Sequence, residues 1–143
     1  MEQRSVRSSK MTQGEIDRLV KDYIGTSSGY LNHFTYKIHE TFYQRYCELD
    51  IDVLSYRQRG MTTLNAFTEI LRTAPPDHQS RIIRGVFDMI PPPEDSPDKA
   101  VRKKIAVYSA LMQVASQLEP NRAIQEPNLP RGRDELGFYS ARN

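Results

Sequence analysis

The chain has 143 residues, 38% hydrophobic and 27% charged, with a formal net charge of +2 at pH 7 and a mean hydropathy of -0.66. That length suits one domain with a real core, and the composition excludes wholesale disorder. There is no apolar run near the roughly 18 residues of a bilayer span and no apolar signal core in MEQRSVRSSK, while a pI near 8.7 is below that of a dedicated nucleic-acid binder; the expectation is a cytoplasmic protein without a membrane partner.

Residues 1–11 carry Arg4, Arg7 and Lys10 without a hydrophobic period and read as a flexible basic arm. Thr12-Gln13-Gly14-Glu15 has the spacing of a capping box, in which the threonine hydroxyl accepts from a free helix amide and the glutamate reaches back to the cap. Ile16, Leu19, Val20, Tyr23 and Ile24 then form one apolar stripe, and Gly25 is a natural stop. After a Ser/Gly turn at Thr26 to Gly29, the spacing of Phe34, Ile38, Phe42 and Tyr46 predicts a second helix running to about Cys47. Residues 48–61 read as irregular.

Thr62-Thr63 starts a short helix through Leu64, Phe67, Ile70 and Leu71, closed by Pro75-Pro76, since a residue before proline disfavours the helical region. Pro76-Asp77 opens another, with Ile82, Ile83, Val86, Phe87 and Ile90 on one face, broken by Pro91-Pro92-Pro93. Ser96-Pro97 restarts the chain into the longest helix, carrying Val101, Ile105, Tyr108, Leu111, Met112, Ala115 and Leu118. From Pro120 to Asn143 the pattern disappears and a tail or linker is expected. The fold class is therefore all-α: a compact bundle of about five helices at 12–119, between a basic arm at 1–11 and an irregular, proline-containing tail at 120–143.

Reactive chemistry is hard to find in this chain. Cys47 is the sole cysteine, which rules out an internal disulfide, and its expected role is packing. Glu48, Asp50 and Asp52 alternate like the opening of a calcium loop, but Val53 stands where the turn glycine belongs and Arg59 where the closing glutamate belongs. His39-Glu40 lacks the second histidine one turn on that a zinc helix needs. Arg72 and His78 have the separation used by some helical ribonucleases, yet Pro75 and Pro76 take them off any shared face. Phosphate-cradling glycine motifs and a nucleophile-elbow serine are missing as well. Hence no catalytic residue, metal ion or cofactor is expected.

Two recognition readings remain. A helix, a turn at Gly25 and a short second helix beginning at Thr26 or Ser27 would make a helix-turn-helix at residues 13–34. Ser27, Ser28, Tyr30 and Asn32 would then face a DNA groove, with Lys99, Arg102, Lys103 and Lys104 supplying cations from elsewhere. The segment 12–35 has no surplus of positive charge of its own, which weakens this reading. The other reading starts from the aromatics, because 23–52 holds 7 of the 13 Phe and Tyr residues. Tyr23, Phe34, Phe42 and Tyr46 lie on apolar stripes and belong in a core. Tyr30, Tyr36 and Tyr43 lie off them, and exposed tyrosine suits protein recognition.

The pieces Tyr23-Ile24-Gly25, Gly29-Tyr30-Leu31, His39 to Tyr43, Leu49 to Asp52, Thr62-Thr63 and Arg81 to Phe87 together resemble an N-terminal helical domain of AbiJ-type abortive-infection proteins of bacteria, over about residues 12–93. The resemblance implies an accessory domain that senses or relays an infection signal to a toxic effector, often a nuclease fused downstream, and assigns no catalytic residues. This chain departs from that arrangement in stopping at Asn143, so a fragment or a free-standing version acting through a partner is expected. The leading expectation is thus a non-enzymatic regulatory domain of an antiphage system. It would contact a protein effector, fused or separate, through Tyr30, His33, Tyr36, His39 and Tyr43, with room for a homo-oligomer. A DNA-binding regulator is the alternative.

Overall fold

The structure, a computed structural model, describes residues 9–119. The expected tail at 120–143 and residues 1–8 of the expected arm lie outside the described residues. The arm ends earlier than expected, because Met11 is buried and its amide donates to Gln79 Oε1 at 2.9 Å. Gln79 is itself fully enclosed and donates from Nε2 to the carbonyl of Leu71 at 2.9 Å. One buried amide therefore ties the start of the described chain to two helices, with both of its polar atoms satisfied.

Six helices and one small hairpin make up the described residues. The first helix, α1, is α-helical over Gln13–Asp17 and π-helical over Arg18–Ile24. Both halves of the capping box form, Glu15 N to Thr12 Oγ1 at 3.1 Å and Thr12 N to Glu15 Oε1 at 2.9 Å. The predicted stripe Ile16, Leu19, Val20, Tyr23 and Ile24 is buried, and the helix stops at Gly25 with φ 90°.

Directly after Gly25 the chain enters a hairpin instead of a second helix. Thr26–Ser27 (β1) pairs antiparallel with Tyr30–Leu31 (β2), with Thr26 opposite Leu31 and Ser27 opposite Tyr30. Ser28 and Gly29 have φ of 53° and 83°, positive at both central positions as a two-residue hairpin loop requires. The all-α expectation is corrected accordingly to a mostly helical fold with one two-stranded sheet.

The second helix, α2, begins after Thr35, whose hydroxyl accepts from Ile38 N at 3.1 Å; it is α-helical over Tyr36–Phe42 and π-helical over Tyr43–Cys47. Its buried stripe is His39, Phe42, Tyr43 and Cys47, whereas Ile38 is 40% exposed and Tyr46 half-buried. The expected stripe through Ile38 was rotated, since Phe34 precedes the helix and steps of four residues drift around its surface. A short helix, α3 (Val53–Gln58), capped by Asp52, occupies part of the stretch expected to be irregular.

Helix α4 (Thr63–Thr73) is capped by the Thr62 hydroxyl, and α5 (Pro76–Met89) opens on Pro76 at its first position. Asp98, rather than Ser96, caps the longest helix, α6 (Lys99–Leu118), by accepting from Ala100 N and Val101 N. Ile82, Ile83 and Val86 on α5 are fully enclosed, between α6 on one side and the π-helical end of α2 on the other. Gly85 permits that second approach: a Cβ there would lie 2.6 Å from Cys47 Sγ and 3.2 Å from the Tyr46 carbonyl oxygen. Phe34, Phe42, Tyr43, Phe67 and the His39 ring pack edge-on, tilted and, for Tyr43 on Phe67, stacked, at centroid separations of 5.0–6.5 Å, an arrangement that adds to simple area burial. Among the described residues no helix is long and apolar enough to cross a membrane.

Candidate protein-contact surface

The residues expected to face a partner divide into two groups. Tyr30 on β2 is 52% exposed, His33 is exposed with φ 69°, and Tyr36 in the first turn of α2 is 39% exposed. His39 and Tyr43 retain only 2% and 1% exposure, so their assignment to the contact surface is corrected to the core. Their hydrophobic surroundings tolerate them because His39 Nε2 and Tyr43 Oη hydrogen-bond to each other at 2.7 Å. Burial lowers the His39 pKa to about 4, so the ring is neutral near pH 7, and the same cause pushes the Tyr43 phenol well above its ordinary value.

The segment 30–36 runs past the beginning of α4. Leu31 N donates to Thr63 Oγ1 at 3.4 Å, and Tyr36 lines a shallow cleft together with His39, Glu40, Val53, Arg57, Met61, Thr62, Thr63 and Ala66. The Arg57 guanidinium lies 4.4 Å from the Tyr36 ring centroid and its Nη1 donates to Glu40 Oε2 at 2.8 Å. Stacking and the charge-assisted bond together fix an arginine and a tyrosine side by side at the rim. Arg57 and Glu40 had no signal in the sequence, because they are 17 residues apart and meet only when α3 folds back along α2. Leu54 on the exposed side of α3 is 48% exposed.

The helix-turn-helix reading is contradicted. Ser27, Ser28 and Tyr30 are exposed and Asn32 half-buried, but they belong to a hairpin and the loop after it, where Ser27 Oγ bonds Asn32 Oδ1 at 2.8 Å. A recognition helix, the element such a motif inserts in the major groove, is missing at this place. Lys99, Arg102 and Lys103 are exposed at the start of α6, with Arg102 Nε 3.8 Å from Asp95 Oδ1, as on a solvated helix face.

Several other polar groups are engaged structurally. Arg72 Nη2 bonds both carboxylate oxygens of Glu69, at 2.7 and 2.8 Å. Cys47 is buried, and burial pushes its thiol up to about 12, with Asp88 adding to the rise and Arg81 opposing it. A thiol so disfavoured as thiolate is a poor nucleophile. Ser80 Oγ donates to Glu119 Oε2 at 2.6 Å, and Arg84 Nε bonds the same oxygen, closing the end of α6 onto α5. Among the described residues no group of three or more His, Cys, Asp or Glu side chains could hold a metal ion.

No protein-family model, curated protein or solved structure matches the chain.

Proposed function

We propose that this chain is a non-enzymatic regulatory domain of a bacterial abortive-infection system that acts by protein contact, using the face formed by Tyr30, His33, Tyr36 and Arg57. The resemblance described above suggests the setting. The observation that carries the contact reading is the Tyr36–Arg57–Glu40 arrangement, solvent-accessible yet held rigid by a ring stack and an ion pair. Tyr and Arg are the side chains that most often anchor protein interfaces, and one already ordered loses less entropy on binding. Tyr30 on the hairpin is exposed as well, although its neighbour Leu31 is buried.

A photo-crosslinking amino acid placed at position 36, and separately at exposed position 88 on α5, tests this in phage-infected bacteria that express the chain with its neighbouring genes. One protein crosslinked from position 36 and absent from position 88 is the expected result. Equal capture from both positions, or none from either, would refute the assignment of the face.

A further inference from the structure

Met11 is a lone buried residue in an otherwise exposed stretch. Ser9, Lys10, Thr12, Gln13 and Gly14 are exposed, whereas Met11 is 7% exposed and belongs to the core cluster. Residues 9–12 form no helix or strand. Met11 is held by its inserted side chain and by one backbone hydrogen bond, from its amide to Gln79 Oε1 at 2.9 Å. An apolar residue before a helix cap often packs on the helix that follows, but such a staple does not call for a buried polar side chain beneath it.

Gln79 is that side chain, and it is fully enclosed, which is costly for a carboxamide unless both of its ends are paired. Its orientation is set without Met11. The Leu71 carbonyl can only accept, so Nε2 points there at 2.9 Å and Oε1 is turned the other way. Met11 N is the partner of that oxygen among the described residues. Withdrawing Met11 therefore leaves an apolar hole beside an aimed, buried acceptor. That combination is complementary to one peptide N–H next to one unbranched apolar side chain, and methionine, being adaptable, fills it readily. The place is at the other end of α4 from the Tyr36 face, since Leu71 lies about 12 Å along the helix from Thr63.

We infer that Met11 is a plug: it occupies in cis a slot that accepts one apolar residue of an extended segment from a protein partner, with Gln79 Oε1 receiving that residue's backbone N–H. The slot is separate from the Tyr36 face and does not depend on the contact reading. Thr12, the cap of α1, is all that separates Met11 from the helix. So short a tether does not let the plug enter a second copy, and the competing segment belongs to another protein. A tethered plug competes at high effective concentration, so the slot is masked in the intact chain and uncovered when residues 9–11 are drawn away.

NMR titration with the acetylated and amidated peptide Ser-Lys-Met-Thr-Gln, the sequence of residues 9–13, tests the proposal. In a full-length Met11→Asp variant, where the charge expels the plug, the peptide should bind saturably, shift the Gln79 side-chain amide signals and raise Tm. The unaltered chain, plugged in cis, should bind it at least tenfold more weakly. Two altered peptides, one with aspartate in place of methionine and one with N-methylmethionine, which has no N–H to donate, should also bind the variant at least tenfold more weakly. Should Met11→Asp fail to fold, Met11→Gly empties the slot with less disturbance. Unfolding of both variants would make Met11 an integral part of the core and overturn the inference. A folded variant that ignores the peptide, or that binds all three peptides equally, would overturn it as well.

Discussion

Gly85→Ala offers a sharp test of how α5 meets the π-helical end of α2. In an open helix this change should stabilise the protein by about 0.8–1.0 kcal/mol, since alanine is the better helix former. Here the new methyl would sit 2.6 Å from Cys47 Sγ and 3.2 Å from the Tyr46 carbonyl oxygen. The sulfur is on a short, buried side chain and the oxygen is backbone, so neither can swing away cheaply. Overpacking of this kind costs about 1–3 kcal/mol, and subtracting the helix gain leaves a net loss of up to roughly 2 kcal/mol. Urea unfolding with a double-mutant cycle measures it. In a Cys47→Ala background the sulfur contact is gone while the tight carbonyl contact persists, so Gly85→Ala should be less destabilising there by about 1 kcal/mol. Gly85→Ala acting as a stabilising change, or costing the same with and without the sulfur, would refute the close approach.

Other consequences follow from the buried aromatic cluster and its polar members. Phe42→Ala should cost about 3–5 kcal/mol in urea unfolding, whereas Tyr36→Ala should cost under about 1 kcal/mol because it removes only a half-exposed ring and its cation contact; the reverse order would mean that α2 is rotated. His39 has a folded pKa of about 4 against an ordinary 6.5, so the unfolded chain binds the extra proton between those values. The stability that this ring contributes when neutral is intact above pH 6.5 and is lost as pH falls towards 4, by on the order of 3 kcal/mol in all. His39→Gln should flatten that part of a stability-versus-pH curve, and an unchanged slope would contradict the burial of the ring. Tyr23 Oη donates to the Ile90 carbonyl at 2.7 Å inside the core; Tyr23→Phe should therefore cost about 1–2 kcal/mol, and a neutral result would show that water replaces the hydroxyl.

Much of this architecture was legible in the chain because several helices announce themselves locally. Thr12 and Glu15, Thr62, and Pro76 mark starts through backbone groups within a few residues, and the structure uses all three sites. The hairpin was missed because its strands are two residues each, too short for alternation to register, though Ser28-Gly29 does carry the signal of a two-residue loop. Helix α3 offers just Val53 and Tyr56 towards the core, too few to display a helical period. His39 and Tyr43 were misplaced for a different reason. A histidine and a tyrosine four apart look like surface residues until their mutual hydrogen bond is seen, and that pairing is what admits both to the interior. Arg57 and Glu40 illustrate the limit of local reading, since their partnership depends on how α3 returns beside α2.

The proposed action of the rim around Tyr36 and Arg57 by contact with another protein has a direct readout in infected cells. Plating efficiency of phage on bacteria carrying the chain with its neighbouring genes tests this most directly, using Tyr36→Ala and Arg57→Gln variants shown by thermal melts to be folded. Protection present with the unaltered chain is expected to be lost in both variants at unchanged protein levels. Protection that persists in both would contradict it.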